Sequence, residues 1–223
     1  MSTPRFTTAI FDVEGTLVDC VPQTLACWQR ILERNGHAFT PSELQPYSGL
    51  DGDEMLGILV PNVPRAERKR IRKEQGDCYK REYIGSTKAF AGIREVFETL
   101  KRAGTSIGLA TTCSREELQI YDGSMRILEL TDAVACGDDA LRGKPHPDLL
   151  IKALDRLKAS RRDEVIDVGD TPYDARAAAA AKVVAIGVST GGFEKSHLTG
   201  AGCKVVVDSI AALPLALGVM QPR

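Results

Sequence analysis

The chain has 223 residues, enough for one large domain or for a domain carrying a modest insert. Hydrophobic residues make up 43% and charged residues 26%, proportions that exclude a disordered or collagen-like polypeptide. With 29 Lys and Arg against 30 Asp and Glu the net charge is -1, so no whole-chain attraction to nucleic acid is expected, and no uncharged apolar run approaches the roughly 20 residues that span a bilayer.

The opening MSTPRFTTAIFDVEG lacks the long apolar stretch of a secretory signal, so the cytosol is the expected compartment. Thr8-Ala9-Ile10-Phe11 is a short apolar, β-branched run that breaks at Asp12 into Glu14-Gly15-Thr16, which reads as a strand ending in a polar loop. A helix is predicted from about Pro22 to Asn35, with Leu25, Trp28, Ile31 and Leu32 on one face and Gly36 as its stop. Trp28 is expected to be core. Thr40-Pro41-Ser42-Glu43 has the form of a capping box, with Thr40 as N-cap, proline at the first helical position and Glu43 able to reach back. Arg65 to Ile84 is helical and densely basic, either an ordinary solvated face or a positive lip that draws in an anionic substrate.

From Lys88 onward helices and strands alternate. Ile93, Val96, Phe97 and Leu100 recur at helical spacing before Gly104, and a strand follows over Thr105 to Ala110. A helix near Glu116 to Leu130, a strand Ala133 to Ala135, a helix Pro147 to Lys158 and a strand Val165 to Val168 come next. A helix Tyr173 to Ala181 and strands Val183 to Ile186 and Lys204 to Val207 complete the order. Strands separated by helices of this length predict an α/β fold: a parallel sheet covered on both faces, with ligands at the carboxyl ends of the strands. Residues 20–87 would form an all-helical insert standing over that edge as a second small domain, leaving 1–19 and 88–223 as the core.

Four polar clusters fall just after predicted strands: Asp12 to Thr16, Thr111-Thr112, Lys144, and Gly169 to Asp174. Singly, each has an ordinary reading as a turn, an N-cap or a solvated lysine. Brought to one sheet edge they supply carboxylates, hydroxyls and an ammonium, the set that metal-assisted phosphoryl transfer needs. Gly15 and Thr16 permit a tight loop whose backbone N–H groups can point at phosphate. The cysteines (Cys20, Cys27, Cys78, Cys113, Cys136, Cys203) show no CxxC spacing and are expected to be free thiols; the histidines form no metal-ligand pattern. Cys113 is expected to be buried, and His146 to be a surface loop residue.

In order, the strings DVEGTLVD (12–19), LATT (109–112), GKPHPD (143–148) and VGDTPYD (168–174) resemble the four motifs of the haloacid dehalogenase superfamily, over nearly the whole chain. The resemblance is strongest to its phosphoglycolate phosphatase and β-phosphoglucomutase-like branch, with a Rossmann-like parallel core and an inserted α-helical cap domain. It implies a Mg²⁺-dependent phosphatase of a small phosphorylated metabolite, monomeric or homodimeric. Asp12 would be the nucleophile, Glu14 the general acid/base, and Lys144 the cation joining nucleophile and phosphate. Thr111 would bind phosphate, assisted by the backbone that follows it or by Thr112. Asp12, Asp170 and the backbone carbonyl of Glu14 would hold Mg²⁺, supported by Asp174. A phosphomutase of the sugar-phosphate type and a weakly active phosphate-binding relative share these residues.

Most phosphatases of this branch carry Asp where Glu14 stands. Glutamate keeps the carboxyl but adds a methylene, and a displacement of that size can cost about a hundredfold in rate. Enolase-phosphatase relatives carry Glu at that place, whereas dehalogenases carry an uncharged residue and phosphonoacetaldehyde hydrolase a small one, so an ionisable Glu14 favours phosphate esters. Lys182 replaces the usual glycine after the alanine-rich helix, a change expected to alter only a helix end. The loop Tyr47 to Gly52 is the candidate face of the cap toward substrate, or else a plain inter-helix turn.

Overall fold

A computed structural model describes residues 6–219; the expected outer limits of the core at 1 and 223 lie outside the described residues. Strand β1 (Thr8–Phe11) is fully buried and runs into a short antiparallel pair made by β2 (Val18–Asp19) and β3 (Lys88–Ala89). β2 and β3 are two residues each, too short to leave a hydrophobic period in the sequence. They clamp together the two chain crossings that lead into and out of a helical insert.

The insert holds α1 (Val21–Arg34), α2 (Pro41–Leu44), α3 (Gly52–Leu59) and α4 (Arg65–Glu82). α1 stops at Asn35 and Gly36, where Gly36 takes φ 82°. The Thr40 capping box forms as expected, with the Glu43 amide donating to Thr40 Oγ1 and the Thr40 amide donating to the Glu43 carboxylate. α4 ends two residues before Ile84, which begins a 3-10 turn instead.

The core continues with α5 (Ile93–Arg102), β4 (Ser106–Ala110), α6 (Arg115–Met125), β5 (Ala133–Ala135), α7 (Asp148–Arg156), β6 (Val165–Gly169), α8 (Pro172–Ala181), β7 (Val184–Val188), α9 (Lys195–Gly200), β8 (Val205–Val207) and α10 (Leu213–Ala216). α6 stops short of the expected Leu130 because Arg126 turns left-handed (φ 51°) and the Asp122 carboxylate captures the amides of Ile127 and Leu128.

Six strands form one parallel sheet in the order β5-β4-β1-β6-β7-β8. Alternation sends Ala9 and Phe11 to one face, beside Phe97 and Leu100 of α5, and Ile10 to the other, beside Leu150 of α7 and Ala178 of α8. Both faces are therefore covered, which is why the strands read as continuous apolar runs. The cluster on the Phe11 face continues into Leu32, Leu44, Leu56 and Ile71 of the insert, so insert and sheet share one apolar interior. Phe11 aligns with Leu109 on one side and Val168 on the other. That register brings the residues just beyond, Asp12, Thr111 and Asp170, to the same carboxyl edge.

Lys182 caps α8 in the left-handed region at φ 61°, where a Cβ costs about 1 kcal/mol and glycine costs nothing. Lys182→Gly is expected to raise the melting temperature by about 2–4 °C, read by calorimetry, while leaving the site untouched.

Candidate active site

Asp12 follows the central strand, its amide donating to Val168 O at 2.9 Å, and the residue is 4% exposed. Lys144, from the loop before α7, reaches in with Nζ 2.5 Å from Asp12 Oδ1 and 2.5 Å from Asp174 Oδ1. Asp174 is fixed by a second capping box at the start of α8: its Oδ2 accepts from the Thr171 amide (3.0 Å) and hydroxyl (2.6 Å), while Thr171 Oγ1 accepts from the amides of Tyr173 and Asp174. The other carboxylate oxygen is left free for Lys144. The GDTPYD string is thus a helix cap and a charge pair at once.

Asp170 is 1% exposed and accepts at Oδ1 from the Thr16 hydroxyl at 2.6 Å. Its Oδ2 is buried with no hydrogen-bond partner among the described residues. Carboxylate oxygens of Asp12, Asp170 and Asp174 lie within 4.8 Å of one another. A Cβ at Gly15 or Gly191 would run into Asp170 Oδ2, so glycine at both positions keeps that oxygen clear. Three buried carboxylates converging on an orphaned oxygen fit a hard, oxygen-seeking divalent cation such as Mg²⁺.

The electrostatics follow from burial. Desolvation pushes the Asp12 carboxyl up to about 6, Lys144 opposing it and Asp174 adding to it. Burial raises Asp170 well above the ordinary carboxylate range, with Asp174 and Asp12 reinforcing the rise. Burial alone would lower Lys144, but the Asp12 and Asp174 carboxylates outweigh it and hold the ammonium charged. Glu14 rises to about 7 through burial first, then the nearby charges of Glu117 and Asp12.

Several expected residues take other places. The Gly15 amide donates to Val18 O at 2.9 Å, so it closes its own loop rather than facing a phosphate. The Thr16 hydroxyl is spent on Asp170, making it a support for a carboxylate. Thr111 is fully buried and its Oγ1 lies 3.3 Å from both the amide and the sulfur of Cys113, whereas Thr112 lines the cavity. Glu14, expected to offer its backbone carbonyl to the metal and its carboxyl as the acid, lines the cavity, and its carboxylate accepts from Tyr121 Oη at 3.0 Å.

A cavity of about 220 Å³ opens above these groups. Asp12, Glu14, Thr112, Lys144 and Asp170 form its floor, and Leu25, Trp28, Met55, Arg72 and the loop 47–52 form its roof. Trp28 is buried, as expected, yet one side of it meets the cavity. Of the basic helix α4, Arg70, Lys73, Lys80 and Arg81 pair with acids, and Arg72, which lies 3.3 Å from Asp53 Oδ2, is the one that lines the cavity among the described residues. Gly49, at φ 81°, lets the roof loop touch the floor: a Cβ there would stand 2.6 Å from Thr171 Cγ2.

The roof is also tied to the loop that carries Lys144. The Asp51 amide donates to Lys144 O at 2.8 Å, Asp51 Oδ2 accepts from the Gly143 amide at 3.1 Å, and His146 Nε2 lies 2.7 Å from Glu54 Oε1. His146 is indeed a loop residue, but one that joins insert to core. Asp51, Tyr79 and Tyr121 are site residues that the sequence had not singled out in these roles. Their partners lie 92, 42 and 107 positions away, and no local pattern encodes such pairings.

A Rossmann-like parallel core whose central strand ends in a buried Asp–Lys pair beside an acidic cluster is the framework of a phosphoryl-handling hydrolase. The profile of the haloacid dehalogenase-like hydrolases matches residues 9–188, and the chain belongs to that family, among its phosphatases. It is 32% identical over 181 residues to a phosphoglycolate phosphatase of Xylella fastidiosa, covering 78% of this chain and 76% of that one. It is 30% identical over 157 residues to a phosphorylated carbohydrates phosphatase of Thermotoga maritima, covering 66% and 69%. A hydrolase from Pseudomonas syringae superposes with a TM-score of 0.87 at 26% identity, over 97% of this chain and 100% of the other. No described helix is long and apolar enough to cross a membrane.

Proposed function

We propose that the chain is a Mg²⁺-dependent phosphatase of small phosphorylated metabolites, working in the cytosol through an aspartyl-phosphate on Asp12. The observation that carries this reading is the buried Asp12–Lys144 pair set against the unpartnered oxygen of Asp170. The similar proteins act on phosphoglycolate and phosphorylated carbohydrates, and a cavity of about 220 Å³ suits a substrate of that size. The six free thiols are all buried, as suits a reducing compartment.

An Asp12 carboxylate oxygen attacks phosphorus as the ester P–O bond breaks, and the leaving oxygen takes the proton held by Glu14. Near neutral pH Glu14 is divided between its two forms, so it can give that proton and then accept one from the water that attacks the phosphoryl group. That second step releases inorganic phosphate and restores Asp12. Lys144 keeps Asp12 ionised and offsets phosphate charge, and Thr112 offers a hydroxyl donor from the cavity wall. Mg²⁺, held by Asp12, Asp170 and the Glu14 carbonyl with Asp174 in support, would supply charge neutralisation of the phosphoryl oxygens. The insert 20–87 acts as a cap domain that shuts water out of the cavity, its roof loop held to the Lys144 loop through Asp51.

Phosphate release from 2-phosphoglycolate, hexose phosphates and an aryl phosphate, with Mg²⁺ or with EDTA, tests the reading. Release from at least one ester that EDTA suppresses is expected. No release from any of them, or release indifferent to EDTA, would refute it.

A further inference from the structure

Glu14 stands where the family resemblance leads one to expect Asp, and its carboxyl is met by a series of buried hydroxyls. The acceptor Glu14 Oε1 is met by the Tyr121 hydroxyl at 3.0 Å, the Tyr121 hydroxyl lies 2.9 Å from that of Tyr79, and Tyr79 lies 3.2 Å from Thr87 Oγ1. Tyr121 is 1% exposed and Tyr79 4%. A buried phenol that is not paired costs free energy that phenylalanine would avoid, so two stacked in series beside a catalytic carboxyl call for a reason.

Each phenol carries one proton. When Glu14 is a carboxylate it can only accept, so the Tyr121 hydroxyl donates to it, and the same Tyr121 hydroxyl is also aimed at Tyr79 Oη 2.9 Å away. The three hydroxyls come from three elements: Tyr121 from α6 of the core, Tyr79 from α4 of the insert, and Thr87 from the segment just before β3. A glutamate has one more rotor than an aspartate and needs a partner to hold its end in place. We infer that Tyr121, and through it Tyr79, are positioning residues that fix the carboxyl of Glu14 over the reacting phosphate, so that the docked insert helps to place the acid. The inference rests on the phosphatase reading above.

Tyr121→Phe keeps the ring and removes only the hydroxyl. On the ester that the native enzyme turns over best, kcat should fall about 10- to 100-fold with KM within about twofold, the scale of a misplaced catalytic group. Tyr79→Phe should produce a smaller loss of the same kind. In the Glu14→Asp background the shorter side chain no longer reaches Tyr121 Oη, so adding Tyr121→Phe should change kcat less than about twofold. Full additivity of the two substitutions, or a rise in KM at constant kcat, would overturn the inference. A urea-midpoint cycle on the same four proteins separates this from failure of the phosphatase reading. If no ester is hydrolysed but Tyr121→Phe lowers the midpoint more in the native background than in Glu14→Asp, the pairing stands and the phosphatase reading falls. Equal midpoint losses in both backgrounds overturn the pairing itself.

Discussion

Asp12→Asn is expected to lower phosphate release by about four orders of magnitude or more, the scale on which a covalent nucleophile matters. The substitution is nearly isosteric, so the oxygen facing the Thr16 hydroxyl at 3.4 Å can remain in place. Lys144 loses one carboxylate but keeps Asp174, and is not left as an unpaired buried charge. A neutral amide oxygen is a poor nucleophile and cannot form a phosphoanhydride with a good route to hydrolysis. The fold should therefore survive, as near-unchanged circular dichroism would show. Acid-quenching the native enzyme during turnover of a labelled ester should leave label on the protein, and the variant should carry none. If the variant kept more than about a hundredth of native activity, the nucleophile would have to be sought elsewhere.

The sheet was legible because its signal is local and repeated. Buried parallel strands read as apolar runs, and the helices between them carry their period in residues such as Ile93, Val96, Phe97 and Leu100. The site residues that follow the strand ends were legible through order and placement. What was not legible depends on contacts between distant segments. β2 and β3 exist because they pair with each other, not because two residues have a preference. Thr111 and Thr112 stand side by side in sequence, and only the fold decides that Thr111 is buried against Cys113 while Thr112 lines the cavity. Gly15 makes the tight turn its residue type predicts, with φ 84°, but the use of its amide depends on Val18 O coming within reach. The Tyr121–Tyr79 pair gave no sequence signal because each tyrosine occupies a buried face of its helix, where an aromatic is ordinary.

Asp170→Asn should make the metal-free protein more stable while removing its response to Mg²⁺. In the native protein three buried carboxylates lie together, Lys144 pairs with Asp12 and Asp174, and Asp170 Oδ2 has no donor among the described residues. An unsatisfied buried polar group costs about 1–3 kcal/mol, and more when charged. The amide side-chain oxygen can still accept from Thr16, and its NH₂ group faces carboxylates instead of repelling them. In EDTA the variant should therefore melt higher than native by several degrees, at about 2–4 °C per kcal/mol for a chain of this size. The pH dependence has a definite sign. Asp12 rises to about 6 and Asp170 moves in the same direction, so the folded state binds more protons than the unfolded chain between the ordinary carboxylate range and those raised values. Native stability in EDTA should thus increase as pH falls from 8 toward 5, and Asp170→Asn should flatten that rise. With Mg²⁺ at about a hundred times its dissociation constant, binding adds about 2.7 kcal/mol to the native fold. The order of melting temperatures should then invert, because the variant has lost the Asp170 oxygen left without a hydrogen-bond partner among the described residues. A native protein that melts at the same temperature in Mg²⁺ and in EDTA would mean that the orphaned carboxylate serves something other than a cation.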